Sequence, residues 1–266
     1  SSRICYKRTP RQGLRMPSLT YSSRLLLAIL GYLSLYVAGT NIAWVLRKPM
    51  PGRFGQAIDW LRLWGTKLWL GEVLRLAYYL IPPYLVLYYG WASPLDMGLA
   101  DLDWIRGIGT SIAFGSASLF LLVILWWQYI RLVGDAPLMQ EAQWLAQPWG
   151  WAFVLREAIL LESFWALIRS PMLLVAGFYF GVYLGLVITS AVALLNARTR
   201  YALGMPGLRE GIVLTGSLAA VTTTLYALIH NLWLCIAVHF VLRLVILYLV
   251  HAGSAWGHSS SGKPAT

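Results

Sequence analysis

This chain has little charge and very little acid: 12% of its 266 residues are charged, with 10 Asp+Glu against 21 Lys+Arg. Soluble domains carry about 25% charged residues, so a water-soluble globular fold is excluded. Cysteine is nearly absent. Cys5 lies in a basic stretch and Cys235 inside an apolar run, which argues against a disulfide framework and a thiolate metal site. No HExxH, GxSxG or Ser-Lys pattern occurs, and no glycine run forms a phosphate loop, so the familiar zinc, serine and nucleotide machineries have no footing. No internal repeat of fixed period is present, and two matched broken helices are lacking, which argues against a transporter.

What is there is apolar and aromatic: 59% hydrophobic residues, mean hydropathy +0.64, 14 Trp and 15 Tyr. A bilayer core of about 30 Å needs about 20 apolar residues per helix. The apolar runs at about 25–45, 76–91, 108–130, 149–168, 172–195, 210–229 and 232–250 therefore predict an all-α, polytopic transmembrane bundle of about seven spans, an integral multi-pass protein. Within 56–75, Trp60, Leu61, Trp64, Leu68 and Trp69 recur at helical spacing among Asp59, Arg62, Lys67 and Glu72, the pattern of an interfacial amphipathic helix.

The expected organisation is a basic N-terminal tail at 1–23, one transmembrane domain at 24–250 and a disordered Gly/Ser-rich tail at 251–266. Arg3, Lys7, Arg8, Arg11 and Arg15 come without an acid before the first span, which reads as a cytosolic anchor on anionic lipid and not as a nucleic-acid arm. The first apolar stretch is long enough to span and offers no cleavage site, so it is expected to be an anchor. Pro82-Pro83 should kink the second span, and Ser170-Pro171 should separate the fourth from the fifth. Gly177, Gly181 and Gly185 form a small-residue ridge for close helix packing.

Ionisable groups at membrane depth point to function or to buried pairing. His230 and His239 are nine residues apart, on opposite faces of a straight helix with a rise of roughly 13 Å, so they do not share a site. Asn231-Leu232-Trp233 reads as a turn, placing His230 at the surface. His239 and Arg243 lie one turn apart and share a face with Cys235. Alternatively, Arg243 snorkels and His239 bonds a backbone carbonyl. Glu157 and Glu162 diverge by about 140° around one helix and are no acid–base pair. As anions they need Arg156, Arg169 or Arg243 nearby.

The stretch from Gly216 to Arg243 has a small-residue helix, the turn Asn231-Leu232-Trp233 and then His239-xxx-Arg243. It resembles the third motif region of the CAAX protease and bacteriocin-processing (CPBP) intramembrane protease family, where a helix carries His-xxx-Asn. The family's first motif, Glu-Glu-xxx-Arg, is matched by Arg156-Glu157 and the residues after it, with only the second Glu kept. Its second, Phe-xxx-His, falls at Val192 to Asn196, with Asn for His. Tyr226-xxx-His230 mimics that motif but sits too close to His239. The likeness covers about residues 95–250.

The resemblance implies that Glu157 would activate water for peptide hydrolysis and His239 would position it, with Asn196 and Arg243 at the other two motif positions. A guanidinium at 243 near Glu157 would lower the carboxylate's basicity and lock an ion pair. The leading expectation is a CPBP-like membrane protein with a degraded site, a non-catalytic scaffold or partner-binding subunit. It would contact membrane lipids and other membrane proteins or a membrane peptide, and no nucleic acid. One alternative is a divergent active endopeptidase. Another is a pigment- or quinone-associated subunit with His239 or His251 as ligand; no particular cofactor is assigned.

Overall fold

A computed structural model describes residues 19–48, 70–133 and 139–260, with isolated positions between 52 and 60. The basic tail lies almost wholly outside these residues, as does most of the expected interfacial helix. In chain order the helices are α1 (Leu19–Val45), α2 (Leu70–Tyr88), α3 (Trp104–Val133), a 3-10 helix (Gln140–Ala146), α4 (Gly150–Ala176), α5 (Phe178–Leu195), α6 (Ala197–Leu203), α7 (Arg209–Ile229) and α8 (Leu232–Ser260). No strand occurs among the described residues.

Among the described residues, six helices are long and apolar enough to cross a membrane: α1, α3, α4, α5, α7 and α8. The protein is a multi-pass helical membrane protein by this measure. α2, which carries most of the second expected span at about 76–91, is not among these six. Glu72 and Arg75 stand in its first two turns, and Pro82-Pro83 lie inside it. The helix continues through both prolines to Tyr88, and the chain turns at Gly90, whose φ of 67° places it in the left-handed region. The Trp91 amide then reaches back to the Val86 carbonyl at 2.8 Å, closing the last turn.

The expected break at Ser170-Pro171 is corrected. α4 runs through Pro171 to Ala176, and the chain turns at Gly177, with φ 76° and ψ 172°, a backbone open essentially to glycine. The rest of the glycine ridge works as expected. A Cβ on Gly181 would lie 2.4 Å from the Met172 carbonyl oxygen, and one on Gly185 would lie 3.1 Å from the Arg169 Cα. These two glycines let α5 lie directly on the α4 backbone. At the far end, α8 stays helical to Ser260, past Val250 where the last span was expected to stop and into the segment expected to be disordered.

α4 is the central helix, with 67% of its most apolar window buried against at most 44% for any other candidate span. On one side it packs with α1, α2 and the 92–97 loop through Leu25, Ile29, Val86, Met97, Phe164 and Ile168. On the other, Val154 joins Leu122, Leu214, Leu242 and Ile246 from α3, α7 and α8. Lipid is as apolar as leucine, so association of these helices rests on close packing and polar links more than on exclusion of water.

Several of those links are made by the chain turns. Ser93 and Asp96 cap each other, amide to side chain, at 3.2 and 3.0 Å. Their loop is pinned to the α7–α8 turn, because Tyr226 Oη donates to the Asp96 carbonyl at 3.0 Å and the Leu232 amide to the Gly98 carbonyl at 2.9 Å. Gly98, at φ 70°, is required there: a Cβ would come 2.7 Å from the Tyr226 ring.

Candidate functional site

The buried polar centre is assembled from one face of α4 and one face of α8. Glu162, Trp165 and Arg169 follow at helical spacing on α4, and Cys235, His239 and Arg243 follow on α8. His239 Nδ1 and Glu162 Oε1 are 2.9 Å apart, and both side chains have zero exposure. Trp165 closes this pair from the side, its ring stacked on the imidazole at 5.4 Å between centroids and 20° between planes.

One turn further along α4, the Arg169 guanidinium lies 3.9 Å from the centre of the Tyr226 ring, and the residue is 2% exposed. A cation over an aromatic face gains electrostatic stabilisation where water is scarce. Cys235 Sγ lies 3.6 Å from the Thr222 carbonyl oxygen, a buried free thiol tying α8 to α7.

The expected pair of Glu157 and His239 does not form. Glu157 points to α2, where it is bonded to Arg75, while its neighbour Arg156 bridges to Glu72 at 3.0 Å. Two crossed ion pairs thus stitch α4 to α2. The divergence of Glu157 and Glu162 around the helix holds, with the partners exchanged: Glu162 takes the histidine.

Arg243 is buried, as a cation at that position requires a partner to be, but its partner is neither glutamate of α4. Its Nη2 donates to Glu141 Oε2 of the 3-10 helix at 2.7 Å, with the arginine side chain 1% exposed and the glutamate 26%. Asn196 is distant from His239 in role as well as in sequence. It caps α6, its side-chain oxygen accepting from the Arg198 amide at 2.9 Å.

His230 falls in the α7–α8 turn, as expected, with φ 49° at the helix C-cap. It is half-buried, its ring meeting Phe178 and Tyr226 edge to face at 5.0 and 5.1 Å. Burial pushes its pKa down, Asp96 opposes that shift and Arg169 adds to it.

Glu162 was legible as a candidate from the shared face with Arg169, and Trp165 one turn on strengthens it. Arg75 and Glu141 carried no local signal, since each belongs to an element that reaches the core only through tertiary packing.

Chemically, the centre holds a carboxylate side chain and an imidazole in hydrogen-bond contact away from water. Glu162 Oε2, His239 Nε2, both terminal Arg169 nitrogens and Ser170 Oγ are buried and make no hydrogen bond within the protein. Such atoms are costly to bury without a partner, so they mark where a small polar group would be welcome. No cluster of three or more His, Cys, Asp or Glu side chains suited to a metal occurs among the described residues. Comparison with known protein families, curated proteins and solved structures finds no match for this chain.

Proposed function

We propose that this chain is a CPBP-like integral membrane protein with a degraded protease site, acting as a non-catalytic scaffold or partner-binding subunit. The observation that carries this reading is the closure of the Glu162–His239 pair, wholly buried and capped by Trp165, while the positions that would complete a catalytic set serve other ends. Asn196 caps a helix, and Arg243 clamps the 3-10 helix through Glu141. A hydrolytic base must reach both water and a scissile carbonyl. Here one carboxylate oxygen and one imidazole nitrogen are held against each other, and neither side chain is exposed to water.

The test is cleavage of a prenylated peptide and of a membrane-helix peptide by the purified full chain in nanodiscs, beside Glu162→Gln. The expected result is no turnover above the Glu162→Gln background, together with a membrane protein that copurifies from native membranes in fixed proportion. Turnover abolished by Glu162→Gln would overturn the reading.

That outcome would favour the divergent endopeptidase, for which one observation speaks: Glu162 Oε2, His239 Nε2 and the Arg169 nitrogens have no protein partner. In that case Glu162, not Glu157, would be the base. For the pigment reading, the His239 ring is packed between Glu162 and Trp165 with no exposed edge, which leaves the exposed His251 on α8 as its ligand.

A further inference from the structure

A cavity of about 690 Å³ opens between α1 and α2, with no residue of α8 in its lining, and its walls are mostly apolar or aromatic. Leu35, Tyr36, Gly39 and Ala43 line it from α1, and Leu74, Tyr78 and Pro82 from α2. Three arginines stand at one end: Arg47, just past α1, Arg75 near the start of α2, and Arg198 at the start of α6.

Asn41 puts two of them together. Its amide nitrogen donates to the Leu195 carbonyl at 3.2 Å, and its oxygen accepts from the Ala197 amide at 2.9 Å. This double bond to the α5–α6 junction places the C-terminal ends of the candidate spans α1 and α5 at one level. The level is where a span gives way to headgroups, the depth at which arginine is at home.

Among the described residues, the ion pairs at this end leave two arginines over. Arg75 is held by Glu157, but Arg47 and Arg198 have no acidic partner among the described residues. Burial first, then the like charges of Arg47 and Arg75, push the Arg198 guanidinium below its ordinary pKa. The protein holds these cations close against their mutual repulsion, and an anion would relieve it.

The apolar part has the matching dimension. From Leu35 to Arg47 the α1 wall runs about 18 Å at 1.5 Å per residue. One leaflet of hydrocarbon is about 15 Å deep, half of a core of about 30 Å.

We infer that this cavity is a binding site for an anionic glycerophospholipid, its phosphate on Arg47 and Arg198 and one acyl chain between α1 and α2. A phosphate matches the planar fork of arginine with charge-assisted bonds. A zwitterionic headgroup brings its own cation to the cluster and is disfavoured. The site is separate from the Glu162–His239 pair, so it stands whichever reading of that pair is right.

The test uses the full chain in mild detergent, with bound lipid counted by native mass spectrometry against phosphatidylglycerol, phosphatidylcholine and inorganic phosphate. Phosphatidylglycerol is expected to bind at least about tenfold more tightly than phosphatidylcholine, and the double variant Arg47→Gln/Arg198→Gln to lose about tenfold or more of that affinity. Gly39→Phe, which occupies the chain part of the cavity and replaces no arginine, is expected to weaken binding similarly. Nothing lies within 4 Å of a Cβ at Gly39, so the backbone there has room for a side chain, and a thermal midpoint at the wild-type value checks that the variant is folded.

Equal binding of the two lipids by the wild-type protein would overturn the inference without reference to any variant. So would unchanged phosphatidylglycerol binding by Gly39→Phe. Inorganic phosphate that binds as tightly as the lipid would mean a free-anion site, and would also overturn it.

Discussion

His239 on α8 and Glu162 on α4 meet at 2.9 Å with neither side chain exposed, and this contact joins the central helix to the last one. Truncating Glu162 to Ala should leave His239 Nδ1 buried without a partner, at about 1–3 kcal/mol. Glu162→Gln, which keeps an acceptor at the same place, should cost clearly less. Detergent-solubilised thermal unfolding of the two variants checks the order, and equal midpoints would mean that the bond contributes nothing.

The Arg243–Glu141 pair is asymmetric, the arginine side chain 1% exposed and the glutamate 26%. Glu141→Ala therefore strands a buried cation and should destabilise by about 3–5 kcal/mol. Arg243→Met removes the cation and leaves a carboxylate that water can reach, so it should be milder, by about 2 kcal/mol or more. Unfolding titrations of both variants in mixed micelles decide it. The reverse order would show that the guanidinium stem, and not its charge, is what the site needs.

Two glycines of α5 should resist any added carbon. Gly181→Ala would press a Cβ to 2.4 Å from the Met172 carbonyl oxygen, forcing α5 off α4 at about 1–3 kcal/mol. Gly109→Ala on α3 meets nothing within 4 Å and should be neutral or stabilising by up to about 1 kcal/mol, alanine being the better helix former. Thermal midpoints of the two, measured side by side, separate a packing glycine from an incidental one.

His230 lies between two candidate spans, and burial holds its pKa below the ordinary imidazole value of about 6.5. As pH falls through 6.5 the unfolded chain takes up a proton before the folded one does. Stability should therefore decline with acidification from that value down to the lower folded pKa, and be flat above it. His230→Asn accepts the left-handed backbone at φ 49° and should remove this part of the pH dependence. Midpoints between pH 7.5 and 5 for both proteins are the measurement; parallel curves would exonerate His230.

Much of the α-helical membrane architecture is legible locally, because the length and composition of a span are properties of contiguous residues. The α5 glycines could be read as a packing ridge from their spacing of four, and His230 as a turn residue from Asn231-Leu232-Trp233. Local reading fails where a residue has two possible fates. Pro171 looks like a helix boundary, yet Gly177 supplies the turn, since proline can be housed inside a supported helix and a φ of 76° with ψ of 172° is open essentially to glycine.

The sequence by itself determined that this is a multi-pass helical membrane protein, that Glu157 and Glu162 face different ways, and that His239 and Arg243 share a face. Helical periodicity and the intolerance of lipid for unpaired backbone and charge suffice for those statements. Only the tertiary structure decided the partners: Glu157 with Arg75, Glu162 with His239, and Arg243 with Glu141. A helix face specifies the direction in which a charge points. Which opposite charge waits there depends on how separate helices come together, and three-residue or four-residue spacing holds no record of that.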